Sequence, residues 1–529
     1  MQIKKHGSIF VITILFTLIT IGFAGCNGGN PIEPAPNLEF NHSCTWFNNG
    51  TQTVFGTVSS VACDVDLASV VWGSTSAGSS DLGTVVDFND GTSWVAAIAI
   101  DETDDDEIRP VIRFLSDDGE SMSDIIEVPI ADEEDFEARL PRIDCTYNGE
   151  DMVQAAVTFR YSGTGYSYDV IVDTWNVSCY IMDIEYQGND EWELDGYTVI
   201  TTDQMEANGN MGKTHPDIAY DQYSGDIYCA WTELRYGYVG LVYQRYNSQT
   251  GWTLSSYSLE HTYRDHDPWF VSIDTGLVAG LPGLLAAERF VGFAYTGVFG
   301  ISWPEDDLWG CRAVVGWWNI NTGPSDGSHP AQIIIVNRAD FDPEDPHDNG
   351  QWGNKYETGM ARVDIGCDDA AGHGGALVFM QDTCDEGYGD YEVYGISSLY
   401  YAGFTWISDP DAESFEMALL PSLAIHQADG TDASVTFHAR EEDTDDWDVW
   451  ATLWAINTGA NAVASPTEVD EAGEGYFILD PDELLTHDWG TASNLAIAGD
   501  NNEYWAAWSD MDGEDEPSEI HASLGFTDS

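Results

Sequence analysis

From residue 83 to 526 the chain alternates short apolar runs with turns, and almost nothing recurs at the 3.6-residue spacing of an amphipathic helix. One arrangement repeats. An apolar strand opens after a small residue or a proline, a turn comes next, and a second strand ends in an aromatic. Leu140-PRIDCTYNGEDMVQAAVTFR-Tyr161 and His215-PDIAYDQYSGDIYCAWTELR-Tyr236 are two copies; Met360-ARVDIGCDDAAGHGGALVFMQD-Thr383, Leu420-PSLAIHQADGTDASVTFHAR-Glu441 and Ala492-SNLAIAGDNNEYWAAWSD-Met511 are three more. Divergent copies begin near Gly83 and Asp267. A third strand has its own pattern, an acidic residue before Val or Ile. It appears as Tyr168-Asp169-Val170-Ile171, Tyr391-Glu392-Val393-Tyr394, Trp447-Asp448-Val449-Trp450 and Ser518-Glu519-Ile520-His521. The turns Trp318-NINT-Gly323 and Trp454-AINT-Gly459 supply the glycine that a tight hairpin needs at positive φ.

Repeated units of three or four short antiparallel strands predict an all-β chain and, within that class, a β-propeller. The units open near 83, 141, 215, 267, 361, 421 and 493, which predicts about seven four-stranded blades. Six blades, or a separate N-terminal β-domain, stay open as alternatives. Runs such as Asp151-MVQAAVTF-Arg160 are apolar at consecutive positions, as expected of a sheet buried on both faces. The last unit ends after its third strand near Thr527. The segment 38–72 is therefore expected to supply the missing strand and close the ring, and 38–529 to form one propeller domain.

The pattern P-x-I-A-x-D…G-x-x-Y-x-A-W-T-E…D-V-x…T-G-W resembles the sialidase-like, BNR-repeat propellers of secreted bacterial proteins. It covers most of 83–526. The Asp-box of that superfamily is reduced to Ser248-QTG-Trp252. The resemblance implies the fold. A sialidase-type glycosidase would also need three arginines on a substrate carboxylate, a Tyr–Glu nucleophile and an acid/base Asp. Here Arg142-Ile143-Asp144 keeps two residues of the family's Arg-Ile-Pro strand opening, and no Tyr–Glu pair is assigned.

Charge changes the picture. The chain carries 92 acidic and 17 basic residues, a net charge of −75. Nucleic acid is excluded as a partner, because phosphate binding needs clustered Lys and Arg. Such acidity fits a surface solvated for high salt, or calcium bound by carboxylate oxygens. The loops holding Asp340, Asp342 and Glu344, and Asp510, Asp512 and Glu514, alternate oxygen ligands as calcium loops do. His261, His266 and Asp267 form a lesser metal candidate.

The few basic residues are unevenly placed. Arg142 and Arg362 lie at starts of innermost strands, and Arg160, Arg235 and Arg440 at ends of second strands; both positions face one tunnel mouth. Asp217, Glu233 and Asp382 share those places. A ring of arginines and carboxylates suits an anionic sugar, a peptide carboxylate or a protein partner. The leading reading is a non-catalytic propeller that binds such a ligand. A propeller-fold hydrolase or lyase, and a structural envelope component, are the alternatives.

The N-terminus predicts export. Lys4 and Lys5 precede an uncharged apolar run from Ile9 to Phe23, too short to span a bilayer comfortably and suited to a signal peptide. Phe23-Ala24-Gly25-Cys26 resembles the lipobox of bacterial lipoproteins. That implies a signal peptide over 1–25, lipid on Cys26 and a membrane anchor. The segment 26–37 reads as a tether, and Asn27 points to the outer membrane or cell surface. Eight further cysteines in an oxidising compartment predict disulfides. Sequence proximity suggests Cys44–Cys63, Cys145–Cys179 and Cys367–Cys384, which leaves Cys229–Cys311.

Overall fold

A computed structural model describes residues 44–48, 51–55, 64–70, 80–88, 91–102, 108–116, 122–130, 138–149, 151–167, 170–188, 191–201, 213–235, 238–252, 257–258, 266–278, 288–303, 306–319, 332–336, 358–364, 376–382, 391–397, 405–408, 415–425, 432–441, 447–456, 463, 466–471, 496–500, 503–510 and 518–527. All regular structure among them is β. Residues 41–529 make one compact unit. No helix among the described residues is long and apolar enough to cross a membrane. Cys26, Cys63, Cys367, Cys384, Asp340, Asp342, Glu344, Asp512 and Glu514 lie outside the described residues.

The described strands form seven antiparallel sheets. Three N-terminal strands come first: β1 (Cys44–Asn48), β2 (Thr51–Phe55) and β3 (Asp64–Val70). Sheet one holds β4 (Asp81–Leu82), β5 (Val86–Asp87), β6 (Ser93–Glu102), β7 (Ile108–Ser116) and β8 (Ile126–Glu127). Sheet two is β9 (Ala138–Gly149), β10 (Met152–Ser167), β11 (Val170–Gly188) and β12 (Glu191–Val199). Sheet three is β13 (Lys213–Asp221), β14 (Asp226–Arg235), β15 (Tyr238–Asn247), β16 (Gly251–Trp252) and β17 (Tyr257–Ser258). Sheet four is β18 (His266–Val278), β19 (Glu288–Trp303), β20 (Asp306–Asn319) and β21 (Gln332–Val336). Sheet five is β22 (Thr358–Asp364), β23 (Ala376–Asp382), β24 (Tyr391–Ser397) and β25 (Thr405–Trp406). Sheet six is β26 (Phe415–Ile425), β27 (Asp432–Glu441), β28 (Trp447–Ala455) and β29 (Thr467–Glu471). Sheet seven joins β30 (Ala496–Asp500), β31 (Glu503–Asp510) and β32 (Ser518–Thr527) to the N-terminal strands.

The chain's two ends meet in sheet seven. β3 pairs antiparallel with the first half of β32, Val70 opposite Ser518 and Asp64 opposite Ser523. β1 pairs with its far end, Cys44 opposite Thr527. The segment 38–72 thus contributes β1 and β3 along the free edge of β32, where an unpaired strand would otherwise expose its backbone.

Consecutive sheets share cores where a central strand is apolar on both faces. In β10, Val153, Ala155, Val157 and Phe159 join a core with sheet one, while Ala156 joins one with sheet three. The pleat sends neighbours to opposite faces, so a strand between two sheets needs apolar residues at consecutive positions. β31 divides in the same way. Trp505 and Ala507 pack with sheets one and two; Tyr504, Ala506 and Trp508 pack with sheets five and six. Sheets three and four share a core through Tyr228, Tyr243 and Phe293. Sheet four packs on sheet five through β18, β19 and β20 against β22.

A β-bulge recurs near the start of the first strand in sheets two to six. Two residues stand opposite one: Leu140 and Pro141, His215 and Pro216, Phe270 and Val271, Gly359 and Met360, Leu420 and Pro421. Leu140, His215 and Leu420 take φ of 50°, 49° and 52°. Left-handed backbone is uncommon for such side chains, and each precedes a proline. The extra residue bends the strand and re-aims the side chains after it, as bulges do beside ligand sites.

Candidate functional site

The bulge of β9 sets out a cationic cluster at one end of sheet two. It brings Arg139 opposite Arg160 on β10, and Arg160 stands opposite Val177 on β11. All three therefore lie on one face, the face that Val177 turns to sheet three. Trp175, two residues before Val177, shares it. The Arg160 guanidinium lies 4.4 Å from the Trp175 ring centroid and that of Arg139 lies 5.5 Å away. Both arginines are buried. An electron-rich ring face attracts guanidinium groups, most strongly when water is partly excluded.

Arg142 occupies the next row of the same face, opposite Thr158. Its Nε is 3.9 Å from Asp217 Oδ1 on sheet three, and a terminal nitrogen donates to Pro141 O at 2.8 Å. Asp217 in turn accepts from the backbone N–H of Ile218 at 3.0 Å and of Ile273 on sheet four at 2.7 Å. Asp81 accepts from Ile143 N at 3.0 Å in the same manner, linking sheets one and two. First strands are sheet edges, and their outward N–H groups need acceptors. These carboxylates supply them from the preceding sheet. Arg142 and Asp217 thus tie sheets two and three together.

Asp144 is a further bridge. Thr84 donates to its Oδ1 through Oγ1 at 2.8 Å, Cys145 N donates at 2.8 Å, and Tyr220 N donates to Oδ2 at 2.6 Å. Burial pushes the Asp144 carboxyl up to about 6, against the opposing pull of these donors. One side chain so joins sheets one, two and three.

Arg109 is the second residue of β7, opposite Asp101, at the corresponding end of sheet one, and is also buried. Arg109, Arg139, Arg142 and Arg160 are the buried arginines among the described residues, and all belong to sheets one and two. Arg440 lies on β27 of sheet six, opposite Met417 and Trp447. Glu233 faces Lys213 and Gly240 in register, Arg235 faces Tyr238, and Asp382 faces Tyr391, each at the end of a second strand. Arg362 stands opposite Val378. The residue after the bulge of β22 is Ala361, so Arg362 sits one place beyond the position of Arg142. Asp510 pairs in register with Glu519. No cluster of potential metal ligands occurs among the described residues.

The proximity pairing Cys145–Cys179 is corrected. Cys145 stands opposite Ala155 and Cys179 opposite Thr158. An odd separation along β10 sends them to opposite faces. Cys145 lies in the core with sheet one, and Cys179 lies in the core with sheet three, 3.3 Å from the sulfur of Cys229.

Arg109, Arg139 and Trp175 do not stand out in the sequence pattern. Arg139 lies before the Leu-Pro step, and only the bulge brings it level with Arg160. Trp175 lies outside the repeated pattern. A signal did exist in Arg139 and Arg142 flanking Leu140-Pro141, two cations in a chain almost without them.

No family model matches the chain, and no curated protein matches it. Among solved structures it is similar to a polysaccharide lyase described as an ulvan lyase. That likeness has 10% identity and a TM-score of 0.47, over 86% of this chain and 95% of the lyase. It is also similar to an α-L-arabinofuranosidase from Fusarium graminearum, at 12% identity and a TM-score of 0.41, over 78% and 98% of the two chains. A Hadza microbial sialidase is 12% identical with a TM-score of 0.37, over 81% of this chain and 76% of the sialidase. A second structure of the ulvan lyase is bound to -[GlcA(1-4)Rha3S]-, and another of the Fusarium graminearum enzyme is in complex with arabinobiose. All regular structure among the described residues is β, with several four-stranded antiparallel sheets, and the structural neighbours are propeller folds.

Proposed function

We propose that this chain is a seven-bladed β-propeller whose second blade, at the end carrying Arg139, Arg160 and Trp175, holds an anionic saccharide. The propeller reading is supported by seven sheets that pack in chain order, with sheet seven against sheet one. β1 and β3 complete the last blade. The ligand reading is carried by one observation, the two guanidiniums gathered on the Trp175 ring. Guanidinium groups take carboxylate or sulfate in paired hydrogen bonds, and an indole face offers apolar surface to a sugar ring. Net charge opposes any anionic ligand at long range. Salt screens that repulsion beyond about 8 Å at physiological ionic strength, while contacts inside the cluster are screened much less.

The test is titration calorimetry on the full chain with an oligosaccharide of glucuronate and sulfated rhamnose, and with neutral arabinobiose. The anionic sugar is expected to bind and arabinobiose to remain inert. Arg160→Lys keeps the charge and removes the planar fork, so affinity should fall about tenfold with the melting temperature nearly unchanged. Equal binding of both sugars, or of neither, overturns the reading. Products accumulating in the same cell would establish the alternative, a propeller-fold hydrolase or lyase.

A further inference from the structure

Sheets two and three meet one row below the arginine cluster, at Cys179 and Cys229. Cys179 stands opposite Thr158, and Thr158 stands opposite Arg142. Cys229 projects from β14 into the same core. The two sulfurs are 3.3 Å apart, each fully buried, and each is near Thr158 Oγ1, at 3.2 and 3.8 Å. Cys145, the other buried cysteine of sheet two, points to the opposite face. We propose that Cys179 and Cys229 form a disulfide that staples the second sheet to the third beneath the arginine cluster.

A disulfide needs sulfurs about 2.05 Å apart, so the pair must close by roughly 1.3 Å. Both strands are already held by shared apolar packing, and rotation about the two Cα–Cβ bonds can supply this. The chemistry is exchange with a small-molecule disulfide such as oxidised glutathione. One cysteine thiolate attacks the oxidant, forming a mixed disulfide and releasing one thiol. The second cysteine thiolate displaces the other thiol. Each protein sulfur loses its proton, and the two electrons leave on the two reduced thiols. Burial pushes the Cys229 thiol well above its usual range, so the folded dithiol reacts slowly. The bond therefore forms while the sheets assemble, and once formed it is shielded from reductant. It stands whether or not the cluster above binds a saccharide.

The experiment refolds the reduced full chain in a mixture of reduced and oxidised glutathione. It then blocks free thiols in denaturant and maps the peptides by mass spectrometry. The chain secreted from an oxidising host is mapped in parallel, which covers poor refolding. The Cys179 and Cys229 peptides should be joined and should accept alkylating label only after reductant. Label on both without reductant, or Cys179 joined to any other cysteine, overturns the proposal. Reductant should also lower the melting temperature of the parent chain and leave that of the Cys179→Ala/Cys229→Ala variant unchanged. Equal lowering in both would count against the link.

Discussion

Asp217 shows how much one buried side chain carries. It faces Arg142 at 3.9 Å, accepts a backbone N–H from Ile273 and is itself buried. Asp217→Ala would leave a buried guanidinium without its carboxylate and an edge N–H without its acceptor. Breaking one side of a buried pair costs about 3 kcal/mol. The variant should unfold at lower urea with an unchanged m-value, and binding at Arg160 should survive in the fraction that folds. A midpoint equal to that of the parent chain would mean water replaces the carboxylate. Asp144 belongs to the same group of inter-sheet acceptors, so acidic residues in this chain serve the interior as well as the surface.

At the scale of elements, sheets five and six approach closely at Gly395 on β24. A Cβ built there would lie 2.6 Å from Trp454 Cη2 and 2.8 Å from its Cζ3. Trp454 is fully buried in the core shared with sheet five. Gly395→Ala should therefore destabilise by about 1–3 kcal/mol through overpacking. Thermal unfolding is the measure, and Gly196→Ala is the control, because nothing lies within 4 Å of its added carbon. The bulges belong to this scale too. The X-Pro step of three repeats looks like a strand opening in sequence, whereas in the fold two residues stand opposite one. That shift moves Arg139 into line with Arg160 and sets Ala361, not Arg362, in the place of Arg142. A pattern of residue types does not reveal a register that depends on pairing with another strand.

For the whole molecule, net charge dominates the response to solvent. A charge of −75 must repel itself, and the compact state concentrates that repulsion. Lowering ionic strength should lower the melting temperature progressively, because the screening length grows from about 10 Å at 0.1 M to about 30 Å at 0.01 M. Calcium chloride compared with sodium chloride at matched ionic strength separates the two sources of acidity. Equal melting temperatures would leave screening as the whole effect. Extra stabilisation by calcium would place specific sites in the acidic loops, of which Asp510 alone is among the described residues.

Much of the architecture was legible in the chain. Turn residues, third-strand openings such as Trp447-Asp448-Val449, and consecutive apolar positions such as Ala155, Ala156 and Val157 are local properties. They are enough to require short antiparallel strands buried on both faces. The unfinished last repeat likewise made the N-terminal segment the natural partner of β32. The residues that meet across sheets were decided elsewhere. Cys179 is nearer in sequence to Cys145 than to Cys229, yet the pleat separates the first pair and the packing of sheets two and three unites the second. Trp175 carries no repeat signature and gains its place from the register of β11 against β10. Strand formation depends on neighbours along the chain, so sequence alone determined it. The arginine cluster, the inter-sheet carboxylates and the cysteine pair depend on which faces oppose each other, and only the tertiary structure chose those.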